Sequence, residues 1–246
     1  MIDVEKYVKD QISVFQAKEA LEKRLEKLER RPGRGQAGGL SYGPYLTISR
    51  EKGAGGNAVA RLVGNRLGWR VFDHEIVDEI AQQARVRREL IESLDERDQK
   101  TIQDLVGQLV NSKAIGTAEY LGYLKQVVLT LGHQGDVIIV GRGARFILPG
   151  QFGLGVRMVA PLEVRVRRIA ERAKLSLAAA QAEIEKTDHA RIRSMRRQFG
   201  HDARDPLNHD LILNTAALSL EAAADVVIMA LERKLGVQSK ASNQKS

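Results

Sequence analysis

A cluster of glycines between an apolar strand and an amphipathic helix constrains the fold of this chain more than any other feature. The strand is predicted over residues 45–48, and the helix predicted over residues 57–67 has one apolar face. Between them, Gly53, Gly55 and Gly56 fill three of four consecutive positions. Glycines at such a corner let backbone N–H groups close around phosphate oxygens, so this glycine loop, residues 49–57, predicts a phosphate site. A turn that only closes the corner is the alternative.

Strands and helices continue to alternate after the glycine loop. Short apolar segments predict strands at residues 69–72, 136–140, 155–159 and 211–213, and helical periodicity predicts helices at 74–84, 87–94, 99–110, 118–131 and 220–234. This alternation predicts an α/β fold in three α/β/α layers, with a central parallel sheet and right-handed crossovers. Ligands of such sheets bind beyond the carboxyl ends of the strands, so the residues that follow each strand are the functional candidates.

The first thirty residues differ in pattern from the rest of the chain. Residues 1–31 predict a helical arm before the domain, because its apolar residues fall along one stripe at Val4, Val8, Ile12, Phe15, Leu21, Leu25 and Leu28. This apolar seam needs a partner, which is either the same arm of a second copy, in a homodimeric coiled coil, or the domain's own surface. The glycine-rich residues 32–44 predict a flexible linker, residues 45–236 one domain, and residues 237–246 a disordered polar tail.

Composition excludes several classes of protein. The chain of 246 residues has no cysteine, and hence no disulfide framework or thiolate metal site. It has no run of 18 apolar residues and no leader pattern, which predicts a cytoplasmic protein that does not enter the membrane. The net charge of +8 suits polyanionic ligands such as nucleotides. Nucleic acid is not expected as a partner, because only 4% of residues are aromatic and no binding motif is present.

The glycine loop and the motifs after it resemble the cytidylate kinase-like family, a branch of the P-loop nucleoside monophosphate kinases. The loop itself is Ile48-Ser49-Arg50-Glu51-x-Gly53-x-Gly55-Gly56. The other motifs are Phe72-Asp73-His74-Glu75-Ile76, Ile139-Val140-Gly141-Arg142, Ala160-Pro161-Leu162-Glu163-x-Arg165, Lys186-Thr187-Asp188, Asp205-Pro206, Asp210 and Leu213-Asn214-Thr215. The resemblance covers residues 45–236, and the ordered set of motifs is more specific than any single motif.

The resemblance implies that the protein transfers the terminal phosphoryl group of ATP to a nucleoside monophosphate, with Mg²⁺ and a mobile basic lid. The implied ATP-binding residues are Arg50, Lys52, Gly53, Ala54, Gly55, Gly56 and Asn57. Gly56 stands where the usual phosphate-binding loop has a lysine, and the hydroxyl residue that would hold magnesium falls at Asn57 or Ala58. Arg50 and Lys52 are the candidates to replace the missing charge, or are solvent-facing charges without a role. No residue is predicted as a metal ligand.

Five further residues are predicted to be catalytic: Asp73, Arg142, Asp188, Arg191 and Arg196. The resemblance implies that Asp73 and Arg142 hold the acceptor, and that the basic stretch over residues 188–204 forms the lid. Each has a structural alternative, because Asp73 can cap the next helix, Arg142 can pair with a carboxylate, and a lid arginine can lie on a solvated face.

Two functions remain open on the sequence. The first is a kinase with a cytidylate-like acceptor, which rests on analogy. The second is a catalytically weak nucleotide sensor, in which the missing lysine abolishes efficient transfer and the helical arm passes a signal on.

Overall fold

Five parallel strands form the centre of the protein. The computed structural model describes residues 3–10, 12–13, 35–37, 39–109 and 117–237. In chain order the strands of this sheet are β3 (Tyr45–Arg50), β4 (Arg70–Phe72), β5 (Val137–Val140), β6 (Gly153–Val159) and β7 (Leu211–Asn214). Their spatial order is β4-β5-β3-β6-β7, so the strand before the glycine loop lies in the middle.

Helices pack on both faces of this sheet and beside the carboxyl ends of its strands. They are α1 (residues 4–10 and 12–13), α2 (Gly56–Leu67), α3 (His74–Gln82), α4 (Ala84–Glu92), α5 (Glu96–Leu109), α6 (Thr117–Gln134), α7 (Ala144–Ile147), α8 (Leu162–Ala173), α9 (Leu177–Phe199) and α10 (Leu220–Leu235). None of the helices in the described ranges is long and apolar enough to cross a membrane.

Burial on two sides explains why the central strands are almost wholly apolar. All four residues of β5 are buried, with Ile139 facing one core and Ile138 the other. One core lies beneath α1 and α3–α7, and the second beneath α2 and α10. A parallel sheet with helices on both faces requires this continuous apolar pattern. The predicted three-layer α/β/α fold is confirmed.

Helices α8 and α9 form a hairpin beside the carboxyl ends of the strands. Their shared apolar cluster is small and consists of Val166, Ile169, Ala170, Ala180 and Ile184. Ser176 caps α9, because its hydroxyl accepts the N–H of Ala179 at 3.2 Å. The two helices therefore hold together through few apolar contacts, and the inner face of α9 lies over the glycine loop.

The predicted linker differs from what the structure shows. Strands β1 (Gly35–Ala37) and β2 (Leu40–Tyr42) pair in an antiparallel hairpin inside it. Leu40 and Tyr42 are buried in the first core, and the N–H of Gly43 donates to the carbonyl of Gly132 at 3.2 Å. Two large apolar residues therefore order a segment whose glycine content predicts flexibility. The predicted tail beyond residue 237 lies outside the described residues.

The described part of the N-terminal arm, α1, packs on the domain. Val4 and Val8 are buried in the first core, and the Tyr7 hydroxyl donates to the carbonyl of Val71 at 2.9 Å. That carbonyl belongs to β4, the edge strand of the sheet, so α1 covers an edge that would otherwise be exposed. Residues 14–31 lie outside the described residues, and pairing of the arm with a second copy stays a prediction.

We expect Val8→Ala to lower the free energy of unfolding by about 2 kcal/mol, because it removes two buried methyl groups from a side chain that is 1% exposed. Urea denaturation followed by circular dichroism measures the change. Lys6→Ala is the matched control: it lies on the exposed face of the same helix, and we expect a change within about 0.5 kcal/mol. Equal stabilities of the two variants would mean that α1 does not pack on the domain in solution.

Candidate active site

The glycine loop begins at the end of β3 and leads directly into α2. Gly53 and Gly55 have φ angles of +86° and +77°, which residues with a side chain rarely adopt. Gly55 is the N-cap of α2, and no side chain caps this helix end. The first N–H groups of a helix have no partner within the helix, so an uncapped N-terminus favours an anion. The loop therefore has the backbone geometry that its sequence predicts.

Arg50 fills the space that a side chain at position 56 would need. A Cβ atom on Gly56 would lie 2.9 Å from the Cβ and 3.1 Å from the Cγ of Arg50. The lysine of the usual phosphate-binding loop and the observed position of Arg50 are therefore mutually exclusive. A cation is present next to the loop, but it comes from the strand before it.

Three arginine side chains converge at the centre of the site. Arg50, Arg142 and Arg191 line the same two cavities, and Arg191 donates to the carbonyl of Arg50 at 3.2 Å. Burial, followed by the positive charges of Arg191 and Arg142, lowers the pKa of Arg50 to about 9. Burial and the neighbouring arginines also lower the pKa of His74 to about 4, so its neutral Nδ1 accepts a hydrogen bond from Arg50 at 3.1 Å. Repulsion within this cluster favours the binding of an anion.

Arg142 is held in a strained turn after β5. Its φ angle is +53°, and those of Gly141 and Gly143 on either side are also positive. Its guanidinium pairs with the carboxylate of Asp78, which also accepts the hydroxyl of Tyr120. A non-glycine residue in this region costs about 1–3 kcal/mol, and such strain is concentrated at functional sites. The structure thus contains the carboxylate pair that was the structural alternative for Arg142, within the same cluster as Arg50.

Asp188 connects α9 to the glycine loop. Its carboxylate accepts the backbone N–H of Lys52 at 2.8 Å and a hydrogen bond from Arg165 at 2.6 Å. The side chain of Lys52 pairs with Glu183 on the same helix. Lys52 therefore contributes its amide to the loop, while its ammonium group is directed towards α9. A phosphate oxygen would compete with Asp188 for this amide.

Asp73 and Arg196 are placed differently from the other predicted catalytic residues. The carboxylate of Asp73 accepts the N–H groups of Glu75 and Ile76 and caps α3. Arg196 is exposed and pairs with Asp202 at 2.6 Å, away from the cavities that the three central arginines line. Among the predicted lid arginines, the structure brings Arg191 to the loop and leaves Arg196 outside.

Sequence reasoning assigned no role to several charged residues that organise the site. Glu51 lies between Arg157 and Arg165, with closest contacts of 3.6 and 3.5 Å, and both arginines are buried. The N–H of Glu51 donates to the carbonyl of Met158, so the loop is fixed to β6. Glu51 and Arg165 are part of the family-like motifs, and this was the one signal that could have identified them. Arg157 lies inside a strand without any such signal.

Two cavities flank the three arginines. The first opens between β3, the turn after β5, α9 and residues 203–209, and is lined by Ser49, Phe146, Arg157, Met195 and His209 among others. The second lies towards α3 and α6, and His74, Tyr120 and Leu124 contribute to its wall. Arg50, Arg142, Arg191 and Met195 line both. The site can therefore accept a charged group at its centre and a larger group on either side.

The central strand, the uncapped glycine loop and the basic helical hairpin beside it together define a P-loop nucleotide-kinase fold. A family model described as the cytidylate kinase-like family matches residues 45–217. The chain therefore belongs to the cytidylate kinase-like family, and the resemblance seen in its motifs is confirmed.

Individual relatives extend this comparison. A Halobacterium salinarum protein named cytidylate kinase is 25% identical over 188 residues, which are 76% of this chain and 88% of that protein. A Methanopyrus kandleri protein of the same name is 28% identical over 108 residues, and these span 40% of this chain and only 56% of that relative. A solved structure of an uncharacterized protein from Eubacterium ventriosum, 18% identical, covers 77% of this chain and 98% of its own with a TM-score of 0.61. This last likeness concerns the fold alone.

Proposed function

We propose that this protein is a nucleoside monophosphate kinase that moves the terminal phosphoryl group of ATP to its acceptor. The family and its relatives support a phosphotransferase of the nucleotide-kinase type. The observation that carries the proposal is the convergence of Arg50, Arg142 and Arg191 beside an uncapped glycine loop. Phosphoryl transfer needs positioning and neutralisation of charge, and this cluster provides both.

Each part of the cluster has a separate task in this proposal. The glycine loop binds the ATP phosphates through backbone N–H groups, and Arg50 supplies the charge that the absent lysine would carry. Arg142 grips the phosphate of the acceptor with a planar fork that suits two parallel hydrogen bonds. Arg191 approaches from α9 and neutralises the charge that develops on the phosphoryl group in the transition state.

Magnesium is expected from the chemistry of ATP rather than from protein ligands. The carboxylates nearest the glycine loop are already engaged: Glu51 by two arginines, Asp188 by Lys52 and Arg165, and Asp73 by the first turn of α3. In the described part of the chain, no three acidic or histidine residues group as metal ligands. We therefore assign no residue to the ion, which nucleotide phosphates and water hold in many kinases.

The test is ADP production by the purified full chain with ATP, Mg²⁺ and one nucleoside monophosphate at a time. We expect one or a few acceptors to stimulate ADP release, with CMP tested first because the relatives are named for it. Gly55→Val controls for contaminating kinases, since a β-branched residue at φ +77° disrupts the start of α2. We expect this variant to lower turnover at least 100-fold, because the bound phosphates lose their alignment.

Two other outcomes would contradict the proposal. Acceptor-stimulated turnover that persists in Gly55→Val would come from a contaminant. Saturable ATP binding without turnover on any acceptor would favour the nucleotide sensor.

A further inference from the structure

One motif of the sequence, Leu213-Asn214-Thr215, has no part in the proposed function. Thr215 comes directly after β7 and is 2% exposed, although its side chain is polar. Its N–H donates to the carbonyl of Val159, the last residue of β6, at 3.0 Å. The sheet therefore fixes the position of Thr215, and its buried hydroxyl group needs partners.

The hydroxyl group of Thr215 links α8 to the glycine loop. It donates to the carbonyl of Ala54 at 3.0 Å and accepts a hydrogen bond from the guanidinium of Arg168 at 2.9 Å. The same guanidinium donates to the carbonyl of Thr215 at 2.7 Å and lies 3.5 Å from the carbonyl oxygen of Gly53. Loss of the hydroxyl would leave the carbonyl of Ala54 and an N–H of Arg168 without these partners.

A third carbonyl of the loop is held from the same side. Arg165, one turn before Arg168 on α8, donates to the carbonyl of the residue before Gly53 at 3.2 Å. The carbonyls contacted in this way belong to three consecutive residues, Lys52, Gly53 and Ala54. In a trans peptide the carbonyl of one residue and the N–H of the next point in opposite directions. The N–H groups of Gly53 and Gly55 are therefore directed to the other side, where they can bind an anion.

Arg168 also brings a charge to this part of the loop. Within the described ranges, the hydrogen bonds of its guanidinium go to neutral oxygen atoms, those of Thr215 and Gly53. Hydrogen bonds from a charged donor are about twice as strong as neutral ones. Arg168 is partly buried, whereas Arg167, the residue before it, is exposed. The two neighbours therefore form a pair in which only one arginine holds the loop.

We propose that Thr215 and Arg168 are positioning residues for the glycine loop, which they hold by its carbonyl groups so that its N–H groups are aligned for the phosphates of ATP. The inference rests on the proposed function, because that function assigns the ATP phosphates to this loop. A segment with three glycines has little stiffness of its own. Support from outside reduces the entropy that the loop loses when it binds a ligand.

The test is calorimetric binding of ATP and of tripolyphosphate, each with Mg²⁺, to the full chain in the wild type, Thr215→Val and Thr215→Ser. Valine keeps the branched shape of threonine but lacks the hydroxyl, and we expect both ligands to bind about tenfold more weakly. Serine keeps the hydroxyl, and we expect affinities within about threefold of the wild type. Tripolyphosphate has no base, so a loss confined to ATP would show a contact with the nucleoside and overturn the inference.

Thr130→Val is the matched control for a role in stability alone. Thr130 is 0% exposed, and its hydroxyl donates to the carbonyl of Gln126 within α6 at 2.9 Å. Both valine variants lose a buried hydroxyl that donates to a backbone carbonyl. We expect only Thr215→Val to raise the KM for ATP, about tenfold, with the KM for the acceptor within about twofold of the wild type. Equal losses of ATP affinity in the two variants would overturn the inference.

Arg168→Lys tests the second positioning residue without changing the net charge. Lysine lacks the planar fork that reaches Thr215 and Gly53 together. We expect ATP to bind at least about fivefold more weakly, and Arg167→Lys, the matched control, to bind it within about twofold of the wild type. Affinity like that of the wild type in Arg168→Lys would exclude a positioning role for the guanidinium.

The outcomes separate this inference from the proposed function. Weaker binding of both ligands by Thr215→Val, in a protein whose wild type shows no turnover, would keep the inference and reject the kinase. Turnover by the wild type with unchanged ATP affinity in Thr215→Val would reject the inference alone. Absence of ATP binding by the wild type would overturn both.

Discussion

Arg191→Met is expected to lower kcat about 1000-fold while leaving the fold intact. The substitution keeps an unbranched side chain about as long as the aliphatic stem of arginine but removes the guanidinium cation that α9 brings to the glycine loop. An arginine that stabilises the charge of a phosphoryl group in transfer contributes a factor of about 10³–10⁵, or roughly 4–7 kcal/mol. Steady-state kinetics with ATP and the preferred acceptor measure the loss. Because the contact is strongest in the transition state, kcat and kcat/KM should fall together.

The Arg191→Met variant should lose turnover without a matching loss in the free energy of unfolding. Arg191 repels Arg50 and Arg142, which offsets its hydrogen bond to the carbonyl of Arg50 and its 3.8 Å contact with Asp188. We expect the free energy of unfolding to stay within about 1 kcal/mol of the wild type. The matched control is Arg172→Met, an exposed arginine in the last turn of α8, for which we expect turnover within twofold. Equal kcat values in the two variants would exclude a catalytic charge at position 191.

The comparison of Arg191 with Arg196 shows what the sequence of the lid can predict. Both lie in one basic stretch, so composition alone predicts the same role for both. Their positions around the axis of α9 differ, and as a result Arg191 reaches the carbonyl of Arg50 while Arg196 pairs with Asp202. The fold was more predictable than the site, because strand periodicity is a local property of the sequence. The arrangement of side chains in the site, by contrast, depends on contacts between elements that are far apart in the sequence.

His209 and Arg157 illustrate the same limit. His209 lies in a turn before β7 and Arg157 inside β6, more than fifty residues apart in the chain. No motif connects them, so their place in one cavity follows only from the pairing of β6 with β7. In the hairpin of β1 and β2, local composition misled the prediction instead. Its glycines predict flexibility, but the burial of Leu40 and Tyr42 orders the segment.

Among glycine-to-alanine substitutions in the glycine loop, Gly53→Ala is expected to lower stability and activity the most. The residue has a φ angle of +86°, where a side chain costs about 1–2 kcal/mol. The new Cβ would also lie 2.9 Å from the Cβ and 3.0 Å from the carbonyl oxygen of Arg165, so the backbone of α8 must shift. We expect the free energy of unfolding to fall by about 2–4 kcal/mol and kcat/KM for ATP to fall at least 100-fold. Urea denaturation and ADP release measure the two effects.

Gly107→Ala is the matched control for this prediction, because it makes the same chemical change in a different backbone environment. Gly107 lies inside α5, its φ angle is not positive, and a Cβ there would meet no atom within 4 Å. Alanine is favoured over glycine within a helix, so we expect a gain of about 0.5–1 kcal/mol and unchanged kinetics. Similar losses of activity in the two variants would contradict a specific role of Gly53. Opposite signs of the stability change would show that backbone conformation and the proximity of α8, rather than glycine content, make the loop sensitive.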